Sequence, residues 1–220
     1  MDVRRNMPQV LAAELRTMKK GVVGIGTVTD PYQPVEAETR LTRMCLEVLV
    51  RKDWPVVVQT KSALVTRDID VLSRFARAEV GMTVTSMDDR ARRLYEPLTS
   101  PVRAQFKALK RLRDAGIRTW VYVGPIIPFV TDKGLEKLVG SAKDAGVSAV
   151  MVDGLRPRGN TWEDVEAALK GLRPGILGEV RAIRRELNGR VYFRRTAARL
   201  EKLCRDAGLE CKVLVDSERV

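Results

Sequence analysis

Residues able to grip a small ligand recur at regular intervals along the first two thirds of the chain, each group closing a short apolar run. VVGIGTV (22–28) carries Thr27 and leads into Thr29 and Asp30, and PVVVQTK (55–61) ends in Gln59, Thr60 and Lys61, with Ser62 next. VGMTVTS (80–86) supplies Thr83, Thr85 and Ser86, followed by Asp88 and Asp89. TWVYVGPIIP (119–128) opens into Gly124, Pro125, Ile126, Ile127 and Pro128, and VSAVMVDG (147–154) ends at Asp153 and Gly154. Hydroxyls, amides, one lysine and a glycine-containing rim suit a ligand bearing a carboxylate, an ammonium and a ribose. Lys61 pairs a carboxylate as a point charge, and Asp30 accepts from an ammonium or a hydroxyl. The same residue types also cap helices and end strands, so each taken singly has a structural explanation. Their recurrence at five strand ends favours a site.

The elements that must position them alternate. The apolar runs read as buried strands, and between them lie helical patterns: 39–52, with Leu41, Met44, Cys45, Val48 and Leu49 on one face; 68–78; 101–116; and 134–146. Strand–helix alternation at this interval predicts repeated βαβ units, hence an α/β fold with a parallel sheet whose site lies at the carboxyl ends of the strands. Ala115-Gly116-Ile117 and Ala145-Gly146-Val147 mark helix ends handing over to strands. Residues 3–20 read as an amphipathic helix with no strand before it. After Gly154 the pattern loosens into a loop and a short helix, then helices over EVRAIRREL and YFRRTAARLEKLCRDAG, and a final strand LECKVLV (209–215).

Composition excludes several chemistries. No histidine is present, so no Ser-His-Asp triad, Cys-His pair or histidine-ligated zinc site forms within these 220 residues. Three cysteines, Cys45, Cys204 and Cys211, cannot all pair with one another, and they are too few for a four-cysteine site. Cys45 fits the buried face of its helix and acts as a small hydrophobe, and structural roles are expected for Cys204 and Cys211. GIG (24–26) lies inside a strand and lacks the third glycine of a dinucleotide fingerprint. Asp68 and Asp70 are expected to cap the helix that follows them. A net charge of +12 suits a nucleic-acid partner or a plain solvated surface. No apolar run reaches the roughly 18 residues of a membrane span, and no signal peptide is seen at the start, so the expected location is the cytoplasm with no membrane partner.

GIGTVTDPYQPVE, LTRMCLEVL, PVVVQTKSALVTRDIDVL, VGMTVTSMDD, EPLTSPVRAQFKALKRLRDAGI and VGPIIPFVTD, in that order from about Val3 to Asp153, resemble the radical S-adenosylmethionine (SAM) proteins of the spore-photoproduct-lyase-like group, also called DNA repair photolyase-like. The segments T-D-P-Y-Q-P-x-E and Q-T-K-S-x-L-x-x-R-D are the specific ones. The resemblance implies a partial parallel (β/α) barrel over 1–155, with a helical C-terminal extension and final strand over 156–220 packing on it. It implies two cofactors, S-adenosylmethionine and a [4Fe–4S] cluster, and reductive cleavage of the former to a hydrogen-abstracting 5′-deoxyadenosyl radical. Carried over by position, Thr29 and Asp30 would lie beside the methionine ammonium, and Lys61 and Thr83 would hold the carboxylate. Thr85 would serve the ribose, and Gly124, Pro125 and Ile127 would lie against the adenine.

The departures concern the cluster. The family holds it with C-x-x-x-C-x-x-C after the first barrel strand, and no such segment occurs in this sequence, so no metal ligand is assigned and catalytic residues are unknown. Thr27 stands where spore photoproduct lyases carry a hydrogen-donor cysteine, and Gln105 stands where many relatives have arginine. Three readings follow. The first is an enzyme whose cluster strand and loop are missing from this sequence. The second is a split enzyme completed by a cluster-supplying polypeptide. The third is a non-catalytic protein binding nucleic acid or a partner protein through its basic surface. On all three the isolated chain is expected to be inactive.

Overall fold

Six short runs rich in β-branched residues form the strands: β1 (Val23–Ile25), β2 (Val56–Thr60), β3 (Ala78–Thr83), β4 (Arg118–Ile126), β5 (Ala149–Gly154) and β6 (Glu210–Val213). In the computed structural model, which describes residues 3–154, 160–172, 174–185 and 190–214, they make one sheet in the order β1-β2-β3-β4-β5-β6, every neighbouring pair parallel. Sequential order with parallel pairing requires a crossover after each strand, and helices supply most of them. In chain order these are α1 (Met7–Glu14), α2 (Glu36–Thr39), α3 (Leu41–Arg51), α4 (Ile69–Leu72), α5 (Asp89–Tyr95) and α6 (Val102–Asp114), then α7 (Leu135–Ala145), α8 (Thr161–Leu172), α9 (Leu177–Arg185) and α10 (Arg190–Ala207). The architecture is an open α/β sheet, a partial (β/α) barrel. The expected C-terminal extension contributes β6 to this same sheet through its pairing with β5.

The sheet's two faces differ in what they cover. Val56, Val58, Val80, Met82, Val121, Val123, Val150 and Val152 point one way and are fully buried, against helix residues such as Leu109 and Leu112 of α6 and Leu200 of α10. Burying one such side chain stabilises the fold by about 1.5–3 kcal/mol. On the other face of β2, Val57 and Gln59 are only partly buried. All-parallel sheets usually lie covered on both faces, so a half-open polar face is where a ligand belongs.

Several expectations shift in detail. The strand read over 22–28 ends at Ile25, because Gly26 turns the chain at φ +96°. A Cβ there would run into the Gln59 carbonyl oxygen of the neighbouring strand, so this turn needs glycine. The helix read over 68–78 shrinks to the single turn α4, preceded by a 3₁₀ turn, Ala63–Asp68. Ser73 donates its hydroxyl back to the Ile69 carbonyl at 2.7 Å, competing with helix continuation, and β3 begins at Ala78. The helix read over 3–20 is limited to Met7–Glu14, with Pro8 in its first turn. The Ala-Gly junctions do end helices: Gly116 and Gly146 sit at φ +80° and +68°, and the Ile117 and Val147 amides return to the Leu112 and Ala142 carbonyls. The loop read after Gly154 includes residues 155–159, and the final strand's last residue is 215; these positions lie outside the described residues.

Candidate functional site

At the carboxyl ends of β1 to β5 lies a cavity of about 390 Å³, lined by Gly26 to Asp30, Gln59 to Lys61, Thr83, Tyr122, Gly124, Pro125, Asp153 and Gly154. Five strand ends thus converge, as the sequence pattern anticipates. Of the eight residues carried over from the resemblance, Thr29, Asp30, Lys61, Thr83, Gly124 and Pro125 line this space. Thr85 and Ile127 are buried and do not line it.

Asp30 is the keystone of the β1 end. Its Oδ1 accepts from the Tyr32 amide at 2.8 Å and from the Thr60 hydroxyl at 2.7 Å, while Oδ2 accepts from the Lys61 amide at 2.6 Å. Three donors, one from the loop after β1 and two from the end of β2, hold the carboxylate on the cavity wall, so Asp30 ties the β1 loop to β2 as well as offering lone pairs to a ligand. Gln59 donates through Nε2 to the Thr83 hydroxyl at 3.1 Å, tying β2 to β3. Behind them, the buried Gln105 of α6 donates to the Lys61 carbonyl at 2.9 Å and the Thr83 carbonyl at 3.1 Å. Gln105 therefore has a defined task, bridging the end of β2 to the end of β3 through their carbonyls.

Lys61 extends from the end of β2 and pairs with Glu96 at 2.8 Å. The Thr85 hydroxyl donates to the same Glu96 oxygen at 2.8 Å, which explains why Thr85 is turned away from the cavity. On the opposite wall the Tyr122 hydroxyl donates to Asp153 at 3.0 Å, linking β4 to β5, with the Tyr122 ring against Gly124. Tyr122 and Glu96 are the site residues that strand-end counting missed. Tyr122 lies two residues before Gly124 on one strand, hence on one face, a signal available from period-2 alternation. Glu96 arrives from the loop after α5, and nothing local points it at Lys61.

The second half of the specific motifs builds something else. Asp68, fully buried, accepts from the Tyr32 hydroxyl at 3.1 Å, from Arg43 at 3.1 Å and from Arg67 at 2.8 Å. Arg67 also reaches the Glu36 carboxylate at 2.8 Å and the Glu36 carbonyl at 2.7 Å. Asp68 makes no side-chain cap on α4, and Asp70 pairs with Arg43 at 2.6 Å; the capping expectation gives way because two arginines and a phenol are stronger partners than a single exposed amide. Burial, and then the Asp68 charge, raise the Tyr32 phenol far above its ordinary value, keeping it a neutral donor. Hydrogen bonds to Asp70 and Asp68 hold the Arg43 guanidinium firmly protonated.

The cysteines do not form a metal centre. Cys45 lies on α3, and burial together with the Glu36 carboxylate raises its thiol to about 11, the reverse of what a thiolate ligand requires. Cys204 at the end of α10 interacts with Cys211 of β6, which raises the Cys204 thiol and lowers that of Cys211. None of the three lines the cavity, and no group of three or more metal-ligating side chains occurs among the described residues. These thiols therefore do not fit an iron–sulfur cluster at this site. Nor is any helix among the described residues long and apolar enough to cross a membrane.

The family model described as the radical SAM superfamily matches residues 2–142, well over half of the chain. The chain belongs to the radical SAM superfamily. A protein of Mycobacterium tuberculosis described as uncharacterized is 32% identical over 166 residues, covering 72% of this chain and 49% of its own length. Another, from Methanocaldococcus jannaschii, is 31% identical over 141 residues, covering 64% of this chain and 52% of its own. The chain thus spans about half the length of the curated relatives it matches. Among solved structures, a spore photoproduct lyase variant superposes with a TM-score of 0.54 at 16% identity, covering 78% of this chain and 50% of that one. SuiB of Streptococcus suis superposes at 0.51 and 9% identity, covering 80% of this chain and 39% of its own. One spore photoproduct lyase structure holds AdoMet and a dinucleoside spore photoproduct, and one SuiB structure holds S-adenosylmethionine. At these identities the likeness concerns the fold, and the radical SAM fold agrees with the open parallel sheet described above.

Proposed function

We propose that the cavity at the strand ends is the S-adenosylmethionine site of a radical SAM enzyme, and that this chain carries the part that holds the sulfonium ligand. The observation behind this reading is the convergence of Asp30, Lys61 and Thr83 on one wall with Gly124 and Pro125 on another, in a space of about 390 Å³. That volume falls in the range of ordinary small-ligand pockets, roughly 300–1,000 Å³. Lys61 would meet the ligand carboxylate, and the outward lone pairs of Asp30 would accept from its ammonium. The Gly124-Pro125 segment, with the Tyr122 ring beside it, would lie against the adenine.

When bound next to a reducing iron–sulfur cluster, S-adenosylmethionine supplies one-electron, hydrogen-abstracting chemistry. What the chain's own residues contribute is orientation. Gly26 and Asp30 hold the β1 turn against β2, Gln105 and Gln59 hold β2 against β3, and the Tyr122–Asp153 pair closes the far side. Because the three thiols do not fit the cluster, its ligands would come from elsewhere, on a further segment or a separate cluster-supplying polypeptide beside β1. The β1 outer edge suits that approach: among the described residues only β2 pairs with β1, and Val22 and Val28, either side of the strand, are exposed.

Equilibrium dialysis of labelled S-adenosylmethionine against the chain tests the ligand assignment. Saturable binding is expected, weakened about tenfold by Lys61→Ala, the loss of one charge-assisted contact. Binding that never saturates, or that is indifferent to Lys61→Ala, overturns it.

A further inference from the structure

Lys61 is the one cation among the described residues lining the cavity, and it is already spoken for. Glu96 Oε1 takes Lys61 Nζ at 2.8 Å and the Thr85 hydroxyl at 2.8 Å. The Glu96 side chain is 11% exposed against 33% for Lys61, so the carboxylate stands behind the lysine, away from the space it faces. Nor is Glu96 a loose surface rotamer. Its amide donates to the Arg92 carbonyl at 2.7 Å as α5 ends. The Arg92 guanidinium, 7% exposed and held by Asp89 at 2.7 Å, then donates to the Thr99 carbonyl at 2.6 Å, fixing the turn on the far side of Glu96.

The electrostatic consequence is specific. A free lysine on a nucleoside-binding wall attracts phosphate, as phosphate-gripping lysines do. Here an incoming anion meets half of a neutral pair. At this separation and at the intermediate dielectric of a partly exposed wall, repulsion from Glu96 offsets much of the attraction to Lys61. A single carboxylate can share one of the ammonium's remaining protons, whereas a phosphate dianion doubles attraction and repulsion alike, so the pair repays little of its greater desolvation cost, and it finds no second cation among the described residues lining the wall.

We propose that Glu96 is a specificity residue: by neutralising Lys61 it admits a ligand that has one carboxylate and carries its own positive charge, and it rejects phosphorylated nucleosides that share the adenosine portion. The proposal rests on the reading of the cavity as an S-adenosylmethionine site. It assigns to the loop after α5 a selective role that the strand ends alone do not have.

The test compares two adenosine probes of different charge, neutral 5′-methylthioadenosine and adenosine 5′-monophosphate, by calorimetric titration into the wild-type chain and Glu96→Gln. Glutamine keeps an oxygen for Lys61 and Thr85 while removing the charge. Adenosine monophosphate is expected to bind about tenfold more tightly to Glu96→Gln, with methylthioadenosine unchanged within about twofold. Adding Lys61→Ala should abolish the gain. An unchanged monophosphate affinity, or equal changes for both probes, overturns the proposal. If neither probe binds any form, the S-adenosylmethionine reading fails, and the charge role is decided separately. Inorganic phosphate is then titrated while the isotope-labelled Lys61 side chain is followed by NMR. A saturable Lys61 response found in Glu96→Gln and not in wild type sustains the role of Glu96, and its absence ends it. Should Glu96→Gln not fold, Glu96→Asp draws the charge back from Lys61 and is read in the same assays, a smaller gain in anion binding being expected and no gain overturning the idea.

Discussion

Two aspartates in adjacent parts of one motif pair show how differently the same side chain is used. Asp30 accepts from a hydroxyl and two amides on the wall of the cavity, and Asp68 accepts from two guanidiniums and a phenol, fully buried behind the sheet. Tyr32 joins them, its amide donating to Asp30 and its hydroxyl to Asp68. Asp68 is saturated by opposite charge and closed to solvent, with its two arginines partly exposed around it, as a scaffold element should be. Asp30 and Lys61, by contrast, hold neutral or shared partners and face open space. A motif that looks continuous in sequence is therefore half scaffold and half site, and Tyr32 transmits the position of one to the other.

The largest effect should come from breaking the scaffold half. Arg67→Ala leaves Asp68 and Glu36 without their shared partner in the interior, and removing one member of a buried ion pair costs about 3–5 kcal/mol. Urea unfolding should show that loss, with ligand affinity falling only where the chain begins to unfold. A stability change under about 1 kcal/mol would mean the cluster is no more than a surface salt bridge. Next in size is Gly26→Ala at the junction between the halves. The clash with Gln59 and the positive φ together should cost on the order of 1–3 kcal/mol and also displace Asp30. Stability and ligand affinity should therefore fall together, unlike in Arg67→Ala.

Much of this was legible in the residues. Alternation of β-branched runs with helical spacing gives the parallel sheet, and polar residues at each run's end give the cavity, because strands in such sheets place their carboxyl ends on one rim. Where reading failed, the cause was a partner distant in sequence. Asp68 looks like a helix cap because Ser, Thr and Asp before a helix usually are, and only tertiary packing reveals Arg43 and Tyr32 as its partners. Glu96 was overlooked for the same reason, being brought to Lys61 by a loop 35 residues on that Arg92 pins. The strand over 22–28 was read too long because the apolar pattern continues through a glycine whose φ is set by contact with β2.

On the site half the expected effects are smaller in stability and larger in binding. Lys61→Ala removes a pair in which the lysine is a third exposed, so unfolding free energy should change by less than about 1 kcal/mol while S-adenosylmethionine affinity drops about tenfold. A variant that loses both in proportion would place Lys61 with the scaffold instead.

The smallest effect lies at the scaffold's rim and depends on pH. The hydrogen bonds from Arg43 hold the Asp70 carboxyl below its ordinary 3.8, and those from Arg92 do the same for Asp89. A carboxyl depressed in the folded state binds its proton more readily when unfolded. Its contribution is therefore present above about pH 4 and is lost as pH falls through the depressed folded value. Asp70→Asn should remove part of that acid sensitivity, making unfolding free energies at pH 5 and pH 3 differ less than in the wild type. The total change should stay below about 1 kcal/mol, since the Asp70 side chain is 63% exposed and solvent screens the pair. An identical acid slope in the variant would show that Asp68 and Glu47 suffice to hold Arg43, so that the exposed aspartate adds nothing to the cluster.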